Sequence, residues 1–181
     1  MIGRLSLPAA LGALLFAAMI GAQTAPITAS RDAVFIAKDD FRKAVITPSS
    51  SGMTLASLGS VRAGDDRINV DEIKRLDAAA EGPVSHNVVT EVYYILEGGG
   101  IMETGGTIPG ATPLLTNGKP TNPASIGPSM GGTKITGGTT RHVGPGDVVM
   151  IPPGTPHHFL SLDGFVTYMV VRANPGYERG K

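Results

Sequence analysis

Gly146-Asp147-Val148-Val149-Met150-Ile151-Pro152-Pro153-Gly154-Thr155-Pro156-His157 reads as a turn, a short strand, a second turn and a histidine. Gly144-Pro145-Gly146-Asp147 supplies the first turn, and Val148 to Ile151 the strand that follows it. An earlier stretch, His86-Asn87-Val88-Val89-Thr90-Glu91-Val92-Tyr93-Tyr94-Ile95-Leu96-Glu97-Gly98, has the same grammar in reverse order. Its residues Glu91 to Glu97 are β-branched, aromatic or apolar almost throughout, and Gly98-Gly99-Gly100 are expected to close the strand.

Working outward, Phe165 to Arg172 reads as a further long strand, and Met53 opens another by alternation with its neighbours. Arg67 to Leu76 favours a strand, although Asp71-Glu72-Ile73-Lys74-Arg75-Leu76 would also suit a helical turn. Before these, Ala33 to Ala37 is expected to be a short strand. Asp39 and Asp40 then mark the start of a helix, where carboxylates complement the helix dipole. Phe41, Ala44 and Val45 share one side of it, and Pro48 with Ser49-Ser50-Ser51-Gly52 ends it. The Gly-, Pro- and Thr-rich span Thr107 to Thr140 is long for a connection and is expected to be a surface excursion with one added hairpin. The whole predicts an all-β, single-domain chain with a short N-terminal helix, with boundaries at 1–22, 23–52 and 53–181.

Composition supports that reading. The 181 residues include 25 Gly and 14 Pro, yet 41% are hydrophobic, too many for a disordered chain. Fifteen basic and 15 acidic residues balance, without a Lys/Arg cluster, so nucleic acid is not an expected partner. Cysteine is absent, which excludes disulfides and thiolate metal sites. Arg4, the apolar run Leu5 to Ile20 and the small residues from Gly21 have the layout of a secretory signal, with cleavage expected after Ala22. The expected location is therefore periplasmic or secreted, without stable membrane insertion after cleavage.

The two quoted stretches resemble the paired motifs of the cupin superfamily, written G-x5-H-x-H-x3,4-E-x6-G and G-x5-P-x-G-x2-H-x3-N. Glu91 and Gly98 stand at the E-x6-G interval, and Gly146, Pro152, Gly154 and His157 fit the second motif up to its histidine. The resemblance spans roughly residues 52 to 173 and implies a jelly-roll β-barrel, a homodimer and a metal held by His86, Glu91 and His157. Val84 stands where the first histidine would be, Ala78 where the leading glycine would be, and Ser161 in place of the closing asparagine. Three of the usual four ligands are thus carried over.

The chemistry of those residue types agrees. Imidazole nitrogen and carboxylate oxygen suit Zn, Mn, Fe, Ni or Cu, and two histidines with one carboxylate leave coordination positions open. With His86 ending one strand and Glu91 beginning the next, a turn resets the alternation so that both can face inward. A carboxylate facing such an interior must be paired or metal-bound. Tyr93 and Tyr94 fall on opposite faces of one strand, and one of them could offer a hydroxyl to a ligand. His158 is expected at the surface or rim and His142 in solvent. No Gly-Lys-Ser/Thr phosphate loop occurs. Three functions stay open at this stage: a metal-dependent enzyme of dioxygenase or isomerase type acting on a small organic molecule, a metal-free barrel binding or sensing a small ligand, and a structural role.

Overall fold

The computed structural model describes residues 33–44 and 52–179, with side chains at all of these but 42–44. The signal segment 1–22 and the helix stop at Pro48 to Ser51 lie outside them. A short helix α1 (Lys38–Ala44) carries Asp39 and Asp40 in its first turn, as expected. Asp40 also accepts the Ala37 backbone N–H at 2.8 Å. The expected strand at Ala33 to Ala37 is not formed. That segment is unpaired, Phe35 and Val34 are 88% and 51% exposed, and Val34 and Ile36 approach the chain at Gly59. Apolar residues made it look like a strand, but no neighbouring backbone receives it.

The barrel strands follow in order: β1 (Met53–Ala63), β2 (Asp66–Arg75), β3 (Val84–His86), β4 (Thr90–Thr104), β5 (Thr112–Pro113), β6 (Leu115–Thr116), β7 (Lys119–Pro120), β8 (Ser129–Gly131), β9 (Thr139–Val143), β10 (Val148–Ile151) and β11 (His157–Asn174). A 3-10 turn at Ala78–Ala80 follows β2, and a one-turn helix α2 (Pro123–Ile126) precedes β8. The span 107–140 does carry the added hairpin, β6 with β7, together with α2 and β5. It also returns β8 to pair with β3, so its far end is part of the barrel wall. No helix among the described residues is long and apolar enough to cross a membrane.

Two long strands hold the barrel together. β4 and β11 pair antiparallel along nearly their whole length, and each has different outer neighbours along its two halves. The first half of β4 and the second half of β11 lie between β10 and β2; the other halves lie beside β9 and β3. The bend falls where Leu162↔Gly100 gives way to Val166↔Gly98, three residues of β11 being bulged out. Gly98-Gly99-Gly100 therefore do not end the strand; β4 runs on to Thr104. Gly98 has φ +67°, and a Cβ there would sit 2.0 Å from the Phe165 carbonyl oxygen. A Cβ at Gly100 would sit 2.2 Å from the Ser161 carbonyl oxygen. The glycines let two backbones close on each other at the corner, a use of glycine that looks like a terminator in the sequence.

Alternation fills the interior. Ile73, Tyr93, Ile95, Met102, Phe159, Val166, Tyr168 and Val170 belong to one buried cluster, while Tyr94, Val148 and Met150 point outward. Truncating one of the large members, such as Phe159, would cost about 3–5 kcal/mol. This core packs one part of the barrel interior and leaves the other to a polar site.

Candidate metal centre

His86 is the last residue of β3, and Glu91 the second of β4. The intervening turn does reset the alternation, for both side chains enter the barrel. His157 starts β11, and its backbone is bridged to Val84. His86, Glu91 and His157 are 5%, 0% and 3% exposed. One ligand atom from each lies within 4.8 Å of the others, so the three residues singled out by spacing are brought together. Glu91 Oε2 is their meeting point, 3.0 Å from His157 Nε2 and 3.5 Å from His86 Nε2.

The far side of each ring fixes its tautomer. His157 Nδ1 is 3.0 Å from the Thr155 carbonyl, which can only accept, so Nδ1 carries the hydrogen. His86 Nδ1 lies 2.7 Å from Ser129 Oγ. That hydroxyl gives its own hydrogen to the carbonyl of Ile126 at 3.0 Å or Gly127 at 3.2 Å, and so receives one from His86. In their neutral forms both rings thus turn an Nε2 lone pair towards a carboxylate oxygen. Three acceptors cannot face one another without a cation among them, either a proton on Nε2 or a metal ion. Burial pushes the His86 pKa down to about 4, against the pull of the Glu91 charge, so this ring is neutral at pH 7. Neutral imidazole lone pairs beside a carboxylate, with each Nδ1–H tied to a protein oxygen, are the donor set and outer support of a transition-metal site. The residues fit a divalent metal.

A second set of charges was not foreseen from the sequence. Arg172 on β11 is the cross-strand neighbour of Glu91 and donates from Nε to Glu91 Oε1 at 2.6 Å. Its Nη1 donates to Asp71 Oδ2 at 2.5 Å and to Ser125 Oγ at 3.2 Å, and Ser125 Oγ donates to the same Asp71 oxygen at 3.1 Å. Tyr93 adds its phenol, donating to Glu91 Oε2 at 3.1 Å. Burial alone would raise the Glu91 pKa. The hydrogen bond with His157 and the charge of Arg172 outweigh it and hold the carboxyl well below its usual range. Burial and the Glu91 charge push the Tyr93 phenol up, so it keeps its proton. A signal for Arg172 and Asp71 did exist: Arg172 is in phase with inward Tyr168 and Val170, and Asp71 with inward Ile73. A charge at a core-phase position of a strand demands a buried partner.

The remaining residues fall as follows. Tyr93 lines the cavity beside the centre, whereas Tyr94 is 40% exposed on the outer face of β4 and lines nothing. Of the two tyrosines only Tyr93 is placed to meet a ligand. Val84 lines the cavity, so the wall next to His157 is apolar where a fourth ligand would stand. His158 sits at the rim, its Nε2 2.9 Å from Glu103, and His142 pairs with Asp163 in solvent at 2.6 Å. The cavity measures about 150 Å³ and is bordered by His86, His157, Tyr93 and Arg172 at the centre, with Arg75 and Glu81 among its other polar walls.

The strand order, with β4 and β11 shared along most of their length, makes this an all-β barrel of jelly-roll type into which His86, Glu91 and His157 converge. No family model and no curated relative matches the chain. Among solved structures it is similar to Pac13 from Streptomyces, described as a nucleoside dehydratase, at 14% identity and TM-score 0.41, over 70% of this chain and 72% of that one. It is similar to the Fe(II) form of HppE at 13% identity and TM-score 0.42, over 66% of this chain and 49% of that one. A predicted oxalate decarboxylase from Thermotoga maritima matches at 15% identity and TM-score 0.39, over 67% of this chain and 80% of that one. Likeness this distant carries nothing about chemistry, which rests on the residues themselves.

Proposed function

We propose that the protein binds one divalent metal through His86 Nε2, Glu91 Oε2 and His157 Nε2, and acts as a metal-dependent enzyme on a small organic molecule in the adjoining cavity. The observation that carries this is the convergence of two imidazole lone pairs on one buried carboxylate oxygen. When bound, the metal supplies Lewis acidity and open coordination positions for a substrate oxygen. The chain does the rest. Ser129 and the Thr155 carbonyl orient the two rings, and Arg172 fixes Glu91 by its other oxygen. Tyr93 holds its proton at Glu91 Oε2, within the cavity wall, and Val84 leaves that side free of a further protein ligand. Oxygenase and isomerase chemistry both suit such a centre.

Purified wild type and a His86→Ala/His157→Ala double variant, analysed for bound metals, test the reading. About one metal per chain in the wild type and none in the variant is the expected result; a metal-free wild type that takes up none of Zn, Mn, Fe, Ni or Cu sinks it. One observation favours a second reading. Arg172 already neutralises Glu91 at 2.6 Å, so the barrel could bind a small ligand without a metal and without turning it over. The same measurement separates the two. Export through residues 1–22 and homodimerisation belong to this proposal too, and the N-terminal mass of the mature protein and its solution mass test them.

A further inference from the structure

The cavity has a second polar feature away from the three ligands. Arg75 ends β2 and faces inward in phase with Ile73, leaving it 8% exposed. Its Nε donates to Tyr168 Oη at 3.0 Å, its Nη2 donates to Glu81 Oε2 at 2.6 Å, and its guanidinium lies 5.9 Å from the Phe159 ring centre. Nη1 makes no hydrogen bond with the described residues, yet Arg75 lines the cavity. A guanidinium this enclosed keeps its charge and has donors to spare. Asn122 lines the same space, exposed and with φ +40°.

Arg75 and the metal centre border one cavity and are joined through its wall: Arg75 to Tyr168 by a hydrogen bond, Tyr168 to Tyr93 with ring centres 4.6 Å apart, and Tyr93 to Glu91 by a hydrogen bond. Apolar Met53, Leu55, Ile73 and Met102 border the cavity as well. A cavity of 150 Å³ accepts a molecule of about six non-hydrogen atoms, the size of benzene. A guanidinium fork with a free edge selects a planar anion over a neutral group.

We propose that Arg75 receives the carboxylate of a short organic acid, about three or four carbons long, whose other end reaches the His86, Glu91 and His157 centre. Only the second half of this rests on the metal reading. Arg75 is a binding residue and takes no part in the chemistry. Glu81, 35% exposed at its side chain, competes for the same guanidinium and tempers its affinity.

Calorimetric titration of the wild type, metal-stripped and metal-loaded, with propionate, malonate and succinate tests this, with propionamide and inorganic phosphate as controls. Saturable binding of at least one of the acids and none of propionamide is expected. Arg75→Gln weakens that binding by about tenfold or more, and Glu81→Gln strengthens it several-fold. The two variants move affinity in opposite directions, so a folding defect in Arg75→Gln cannot imitate the result. If no acid binds to wild type or Glu81→Gln, if phosphate or propionamide binds as tightly, or if Arg75→Gln folds and binds equally well, the proposal falls. Metal content of the same samples keeps the two readings apart. Carboxylate binding by a protein that takes up no metal ends the metal reading and leaves Arg75 in place. A metal-loaded protein indifferent to carboxylates does the reverse.

Discussion

Glu91 and Glu72 both show little surface to solvent, at 0% and 3% exposed, yet their ionisation goes opposite ways. Glu91 faces inward on β4 and has Arg172, Tyr93 and two histidines on its oxygens, which hold its carboxyl well below the usual range in spite of burial. Glu72 lies on β2 in the opposite phase from Asp71 and Ile73, and its Oε2 is buried with no hydrogen-bond partner among the described residues. Burial first, and then the nearby Glu97 charge, push the Glu72 pKa up to about 7, with Lys74 pulling the other way. Burial alone therefore does not say whether a carboxylate is a ligand. The donors around it do, and of these two glutamates Glu91 alone has been given the surroundings that keep a negative charge inside the barrel.

The largest effect should come from making Glu91 resemble Glu72. Arg172→Met keeps the length of the side chain but removes the cation shared by Glu91 and Asp71. Two buried carboxylates then lose their partner, and urea unfolding at pH 7 should show a loss of about 3–5 kcal/mol. Added Zn or Mn should restore part of it in the variant, since a cation at Glu91 replaces a cation lost. A loss below about 1 kcal/mol would mean that the Arg172 bridges are not what keeps Glu91 ionised.

Next in size is the acid response set by His86. Its pKa is 6.5 unperturbed and about 4 in the fold, so between those values the unfolded chain binds a proton that the folded chain refuses. The His86 contribution to stability rises with pH across that window and is lost as the pH falls through it, by roughly 3 kcal/mol for the full shift, while Glu72 titrates in the opposite sense. Glu91, with its depressed pKa, adds a further loss below about pH 4.5 as it is forced to protonate. Denaturation in EDTA at pH 7 and pH 4.5, compared between wild type and His86→Asn, should give this contribution as the difference between the two slopes. An unchanged slope in that variant would place the proton elsewhere.

The contrast also explains what could be read from the chain itself. Glu91 and its two histidines were legible because their spacing resembles the paired cupin motifs, with turns and prolines around them. Strands β2, β4, β10 and β11 were legible from β-branched and aromatic runs, though β4 was cut short at Gly98 because glycine marks both an ending and a close approach. Arg172, Asp71 and Arg75 drew no functional reading from the sequence. Their role depends on register: Arg172 stands opposite Glu91, and Asp71 opposite Val170, facts that no local pattern contains. Ser129, which sets the His86 tautomer, lies 43 residues away in a stretch that looked like loop. Ala33 to Ala37 failed in the other direction, having the residues of a strand but no edge to pair with.

The smallest effect belongs to Glu72 and has the opposite sign to the others. Its pKa of about 7, against 4.5 unperturbed, means the folded chain holds a proton that the unfolded chain has released. Stability from this group is therefore greatest below pH 4.5 and declines as the pH rises towards 7. Glu72→Gln removes the titration and should stabilise the protein by on the order of 1 kcal/mol at pH 8, with little difference at pH 4.5. The gain is modest because an amide leaves the same position without a hydrogen-bond partner. Thermal melts of both proteins at the two pH values decide it. Should Glu72→Gln be the less stable at pH 8, the carboxylate there would be contributing as an anion, and the difference between Glu72 and Glu91 would be one of degree.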